Sequence, residues 1–388
     1  MMQGIGKLLD ADEQLNHQIA DTFATVAESD LAWTEKLWTA FSRKDGTLQI
    51  DCGLGRYQNR DVMDAFAGIS RGKEQWTVRA SRELSQHPLT TTVGPIKYEV
   101  LEPQKKIRWS LDNNDIIPLS FDLSFNAIHP CFFEDRHIQR DERGFRIVSN
   151  VVRYHQAGVP SGWVEIEGQR ETIQPEDWFC YRDHCWGVRL DVGAPPTDLR
   201  PARDFGERKF EDSKFLLNWS PLLLENPDGS KYEYHFYLQI RSAEVFYFSG
   251  YRNNADGRQE RIARVRPVLR YDDDTRRLLG GYLYIDMLNG ETNKVDIEVM
   301  GESGFYLSTA LYLGFDGKKH GNWRGELNLD GERIEDMTAP ETRKRLASAV
   351  RDTIVKVREG EAKGYGLFEP IVLGEWPEMA LSSTRTRG

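Results

Sequence analysis

The sequence predicts a mainly β protein: two antiparallel β-barrel or sandwich domains in tandem, with a helical N-terminal segment and one C-terminal helix. Three observations predict it. Short segments rich in aromatic and β-branched residues recur from Gly46 onward. They are separated by residues with turn chemistry, such as Asp112-Asn113-Asn114, Glu142-Arg143-Gly144, Pro160-Ser161-Gly162 and Glu167-Gly168. A break, Gly193 to Gly206, holds three of the chain's 16 prolines and little apolar content, and marks a joint.

Taken in order, residues 1–45 form the expected helical segment, because Asp10–Ile19 and Asp30–Phe41 space their apolar residues at mixed threes and fours. Residues 46–192 form the first β domain. Its expected strands include Thr47–Cys52, Trp76–Ala80, Ile96–Leu101, Lys106–Leu111, Leu119–Asn126, Phe145–Tyr154 and Trp163–Ile166. Residues 193–206 are the linker, and 207–388 the second β domain. Strand texture resumes there at Phe215–Trp219, Tyr232–Ile240, Ala243–Tyr251, Ala263–Tyr271, Leu279–Leu288, Lys294–Met300, Tyr306–Leu313 and Gly325–Leu329. Hairpin signals such as Asn289-Gly290 fall between them. An inserted helix, 340–357, is expected because Thr338 and Pro340 suit a helix start and Leu346, Val350, Ile354 and Val357 lie three to four apart. A weak internal repeat relates Trp163–Ile173 to Glu326–Asp336.

Composition sets the bounds on function. With 388 residues the chain suits two domains of roughly 100–200 residues each. Mean hydropathy is −0.59. Aromatic residues make up 11% of the chain, which argues against global disorder. A net charge of −10 without a basic block disfavours a nucleic-acid partner. No run of about 18 apolar residues predicts a membrane span, and the N-terminus lacks a signal-peptide stretch. Four cysteines, Cys52, Cys131, Cys180 and Cys185, make no disulfide framework, so a cytoplasmic location is expected. No metal is expected, since Cys180 and Cys185 lack a second cysteine pair. Phosphate-binding glycine loops and a Gly-x-Ser-x-Gly elbow are missing. Homo-oligomerisation stays open.

The densest chemistry lies in Tyr181-Arg182-Asp183-His184-Cys185-Trp186-Gly187-Val188-Arg189. On a strand, Asp183, Cys185 and Gly187 face one side, and Arg182, His184, Trp186 and Val188 the other. Imidazole and carboxylate suit proton transfer, and Arg can hold an anion or carbonyl oxygen. The same residues also suit a buried structural network. A second group comprises Asp122 in mid-strand, His129 before Pro130, and Tyr154. A third is Gly364-Tyr365-Gly366 with Glu369 near an interdomain crevice.

These residues carry a resemblance. Asp122–Ala127 with His129-Pro130, Tyr154-His155-Gln156 with Gly158, Arg182–Arg189, and Gly364-Tyr365-Gly366 with Phe368-Glu369 resemble the AttH-like and carotenoid 1,2-hydratase (hydroxyneurosporene synthase) superfamily. The nearest pattern is a bacterial branch with Arg-Asp-His-Ser-Trp-Gly-Val-Arg, in which this chain has Cys185 for Ser. The resemblance implies two lipocalin-like domains around a ligand crevice. It also implies cofactor-free proton chemistry on a hydrophobic small molecule, aromatic or isoprenoid. The expected enzyme is a lyase or hydratase acting at a carbon–carbon double bond; a phenolic substrate would instead lose water or formaldehyde. His184, poised by Asp183, would be the general acid or base, with Arg182 or Arg189 on an oxyanion and Tyr154 and Asp122 as further proton carriers. Trp186, Trp109, Trp163 and Trp178 would line the pocket, and Arg189, His129, Tyr181, Tyr365 and Glu369 would bind substrate. The alternative is a lipocalin-like carrier that binds a hydrophobic ligand without catalysis.

Overall fold

The computed structural model describes residues 13, 26, 28–141, 143–194, 198, 214–242, 244–346 and 350–382. The chain is built almost wholly of strands in two sheets. The first draws on β1 (Trp33–Arg43), β2 (Gln49–Tyr57), β3 (Val62–Arg71), β4 (Glu74–Glu83), β5 (Thr92–Val93), β6 (Ile96–Glu102), β7 (Lys106–Leu111), β8 (Leu119–Ala127), β9 (Phe132–Phe133), β10 (His137–Arg140), β11 (Ile147–Ile166), β12 (Gln169–Ile173) and β13 (Trp178–Val188). The second draws on β14 (Phe215–Glu225), β15 (Lys231–Arg241), β16 (Glu244–Asn254), β17 (Gln259–Tyr271), β18 (Leu278–Met287), β19 (Thr292–Val299), β20 (Phe305–Tyr306), β22 (Arg351–Glu359) and β23 (Ala362–Leu373). The intervening β21 (Leu327–Ile334) belongs to the first sheet.

The first sheet runs β21-β4-β3-β2-β1-β13-β11-β8-β7-β6-β5, with β9, β10 and β12 attached to β11. It curls into a half-barrel. Leu37, Phe41, Ile50, Leu54, Trp76, Trp109, Phe121, Phe125 and Trp178 fill its concave side. The second sheet runs β19-β18-β17-β16-β15-β14-β23-β22-β20, and β19 also pairs with β22, closing a ring of eight strands. It has its own apolar interior. Between the sheets lies a third core, in which Trp38, Phe66, Phe179 and Tyr181 meet Phe215, Leu217, Trp219, Ile354 and Leu367. Trp38 and Trp219 cross edge to face there at 5.5 Å.

Several expected elements differ. Asp30–Phe41 is not a helix; Trp33–Arg43 is β1. Its odd residues face the concave core and its even residues the core between the sheets, so both faces are apolar and the two-residue period is hidden. Asp10–Ile19, apart from Glu13, lies outside the described residues, as does most of 193–206. The helix expected over 340–357 stops after Pro340–Arg345, α1, and the chain re-enters a sheet as β22. Val350 and Ile354 there face the core between the sheets, while Val355 and Val357 face the ring interior. Apolar residues on both faces imitate helical spacing. Thr338 does not cap α1; its hydroxyl bonds Asp336 in a turn. Tyr306–Leu313 is not a strand beyond β20, but turns into the 3-10 segment Leu307–Ala310.

Pro160-Ser161-Gly162 is no turn either. It lies inside the 20-residue β11, paired with β8. Gly162 holds φ 126°, and a Cβ there would come within 2.0 Å of the Asp122 carbonyl oxygen. The expected repeat pairs unlike structures: Trp163–Ile173 spans a hairpin, whereas Glu326–Asp336 contains the single strand β21 on β4. Among the described residues, no helix is long and apolar enough to cross a membrane.

Candidate active site

Strand β13 sits in mid-sheet between β1 and β11, with one face against the half-barrel core and the other against the core between the sheets. Its alternating side chains therefore enter two separate compartments. Gly187 is required where the strand passes Asn150, because at φ 129° a Cβ would lie 2.1 Å from the Asn150 carbonyl oxygen.

On the concave side lie Arg182, His184 and Trp186. His184 is fully buried between two partners: Nε2 stands 2.8 Å from Glu35 and Nδ1 2.9 Å from the Tyr154 hydroxyl. Tyr154 donates to Glu13 at 2.9 Å, and Arg182 grips both carboxylate oxygens of Glu13 while donating to Gln156. Trp186 packs beside Tyr154 and His184, with ring centroids at 6.3 and 5.5 Å. Here polar groups are matched with polar groups.

On the opposite face lies a cleft between the two sheets, with a cavity volume of about 150 Å³. Aromatic and aliphatic walls come from Trp38, Leu217, Trp219, Tyr237, Tyr312 and Ile371. Four charged side chains enter it: Arg153, Asp183, Arg189 and Glu369. Arg153 Nε is 3.2 Å from Asp183, and its Nη1 is 3.3 Å from Glu134. Burial raises the Asp183 carboxyl above its ordinary range, opposed by Arg153, Arg189 and Lys36. Burial lifts Glu369 further, to about 7, against the pull of Arg153 and Arg189. Glu369 comes from β23 next to Trp219 on β14, so the second sheet supplies it.

Beneath the cleft, Asp51 and Asp352 are buried together. Burial pushes Asp51 to about 7 and Asp352 well above its usual range, with Asp51 and Glu369 adding to the latter. Two carboxylates in one dry site cannot both ionise cheaply, so the pair retains a proton. Behind Trp219, donor atoms of Glu134, His155 and His235 lie within 4.8 Å of one another. The two imidazoles stack at 3.8 Å with 28° between planes. Bound to one tetrahedral ion at about 2.1 Å, they would stand about 5 Å apart. As placed, they suit a hydrogen bond, His155 Nε2 to Glu134 at 3.1 Å, and a stacked neutral pair.

The structure thus gathers Asp183, Arg189 and Glu369 in the cleft and sends the remaining predicted residues elsewhere. His184, Arg182, Tyr154 and Trp186 share the concave network. Asp183 does not poise His184; the carboxylate on His184 is Glu35, because neighbours on a strand face apart. His129 is buried 3.4 Å from Glu233. The Tyr181 hydroxyl donates to the Tyr365 carbonyl at 3.1 Å, joining the sheets without entering the cleft. Asp122 points outward and accepts from Arg108 Nε at 2.7 Å, in a polar surface hollow of about 300 Å³. Trp109 and Trp178 are core residues, and Trp163 lies under Arg170 at 3.7 Å. The cleft tryptophans are Trp38 and Trp219. Sequence reasoning missed them, together with Arg153, Lys36, Asp51 and Asp352. A usable signal was a charged residue alternating with buried apolar ones, as in Ile50-Asp51-Cys52.

The arrangement of two sheets around a cleft is similar to that of AttH-like proteins of known structure. Solved structures agree. CghA matches with a TM-score of 0.53 at 11% identity, over 93% of this chain and 92% of its own. CghA with Sch210972 matches at 0.51 and 10%, over 88% and 89%. An AttH-like protein from Nitrosomonas europaea matches at 0.50 and 11%, over 88% and 94%. The chain itself belongs to the family of unknown function DUF8625, whose model matches residues 8–381. No curated protein matches it.

Proposed function

We propose that the chain is a cofactor-independent enzyme that performs acid–base chemistry on a hydrophobic small molecule in the cleft between the sheets. The observation that carries this is the pair Glu369 and Asp183, two carboxyls facing one aromatic-walled cleft with Arg153 and Arg189 beside them. Glu369, raised to about 7, can be protonated at neutral pH and act as general acid. Asp183, held by Arg153, is the matching base. Trp38, Trp219, Tyr237 and Tyr312 bind an apolar, aromatic or isoprenoid skeleton. In elimination, Glu369 protonates the leaving hydroxyl and Asp183 takes the proton from the neighbouring carbon, so water departs and a carbon–carbon double bond forms; in addition, Glu369 protonates one alkene carbon and Asp183 takes a proton from the water that attacks the other. The reaction class is therefore hydro-lyase-like addition or elimination. Loss of water or formaldehyde from a phenolic substrate uses the same two groups. His184 and Arg182 act as positioning residues that fix β13 from its far side.

The test incubates the protein with a panel of unsaturated aromatic and isoprenoid compounds and analyses products by mass spectrometry. A new hydrated, dehydrated or cleaved product that disappears in Glu369→Gln supports the proposal. Unchanged compounds throughout the panel would favour a carrier without catalysis.

A further inference from the structure

Among the described residues, two cations beside the cleft have no carboxylate within ion-pair distance. Arg189 lines it, yet among the described residues its guanidinium donates only to the Cys185 thiol, at 3.5 Å, and no carboxylate lies within ion-pair reach. Lys36 is 3% exposed, and its ammonium has no hydrogen-bond partner among the described residues. It rests 3.9 Å over the ring of Tyr312, while Arg189 lies over the same ring at 5.6 Å. Burying an ammonium without a hydrogen-bond partner is costly, and one cation–π contact with the longer-range attraction of Asp64 and Asp183 offsets only part of that cost. The other cleft cation, Arg153, is already held by Glu134 and Asp183. Glu369 has lost much of its charge to burial and offers little compensation.

We propose that the cleft ligand is an anion: its carboxylate or comparable oxyanion pairs with Arg189, with Lys36 supplying a second positive charge from beneath Tyr312, while its hydrocarbon part lies against the wall that Trp38 and Trp219 form together. An arginine fork suits a planar carboxylate, and a lysine suits a point charge behind it. Burial and the neighbouring Arg189 lower Lys36 to about 7, so an anion bound nearby would also restore its proton. This rests on the proposed cleft and narrows its substrate class to amphiphilic acids.

The test is calorimetric binding of trans-cinnamate and its uncharged isostere trans-cinnamamide to the full chain. Cinnamate is expected to bind at least about tenfold more tightly, the scale of one charge-assisted hydrogen bond. Arg189→Gln should erase that preference, weakening cinnamate at least about tenfold more than cinnamamide. Lys36→Met keeps the proposal testable should Arg189→Gln misfold. It should raise the melting temperature, by removing an unpartnered buried cation, and still weaken cinnamate. Equal affinity for the two probes, no cinnamate binding, or a preference that survives both substitutions would overturn the proposal. Glu369→Gln separates it from the acid–base reading, since it should lower turnover by about 10²-fold or more and retain the preference for cinnamate.

Discussion

The two faces of β13 form an instructive contrast. One carries Arg182 and His184 into the half-barrel, where each meets Glu13, Gln156, Tyr154 or Glu35 at hydrogen-bond distance. The other carries Asp183 toward a cleft shared with Arg189 and Glu369, where charges are incompletely matched and carboxyls are raised. A completed network specifies structure, whereas an incomplete one beside a cavity is what the proposed ligand would complete. Adjacent residues on one strand therefore have opposite assignments. On the proposed function, the richest sequence cluster is half scaffold and half site.

Removing the cleft acid tests the contrast most strongly. Glu369→Gln should lower turnover by about 10²–10⁴-fold with the fold intact by circular dichroism. In the parent protein, the acid-dependent step should weaken as the pH rises through about 7, where Glu369 loses its proton. Trp219→Ala removes a cleft wall and the edge-to-face partner of Trp38. It should cost about 3–5 kcal/mol in denaturant unfolding. His184→Gln probes the other face. It should cost about 1–3 kcal/mol of stability while turnover per folded molecule stays within about tenfold of the parent. A loss of 10²-fold or more without destabilisation would reverse the assignment of the two faces.

Asp51→Asn probes the proton held beneath the cleft. In the unfolded chain both aspartates ionise above about pH 4, whereas in the folded chain Asp51 keeps its proton to about 7. The folded state thus binds more protons in this window, and stability falls as pH rises across it. The asparagine variant should flatten that fall in melting temperature measured from pH 4 to 8. Asp122→Asn is the smallest change. Its pair with Arg108 lies at the surface, so less than about 1 kcal/mol and no change in turnover are expected.

Much of the strand content was legible because turns with Gly, Asn and Asp punctuated it: Lys106–Leu111 matches β7 residue for residue. The alternation within 181–189 also correctly divided Asp183 from His184. What stayed hidden depends on strand neighbours. Asp51 and Asp352 lie 301 positions apart, and only sheet packing brings them together. β1 and β22 read as helices because strands covered on both faces lose their two-residue signature. Glu369 is expected near an interdomain crevice and lines the cleft, but its neighbours there, Arg153 and Trp219, carry no local mark in the sequence.

β21 has a thermodynamic consequence. It is contributed by the later half of the chain, yet it pairs along eight positions with β4 of the first sheet. Nearby, the Gln75 amide on β4 exchanges two hydrogen bonds with the Tyr306 backbone, at 2.9 and 2.7 Å, while β20 remains paired to β22. Neither sheet can melt without stripping hydrogen bonds from the other. Differential scanning calorimetry should accordingly show one cooperative endotherm, not two separable ones.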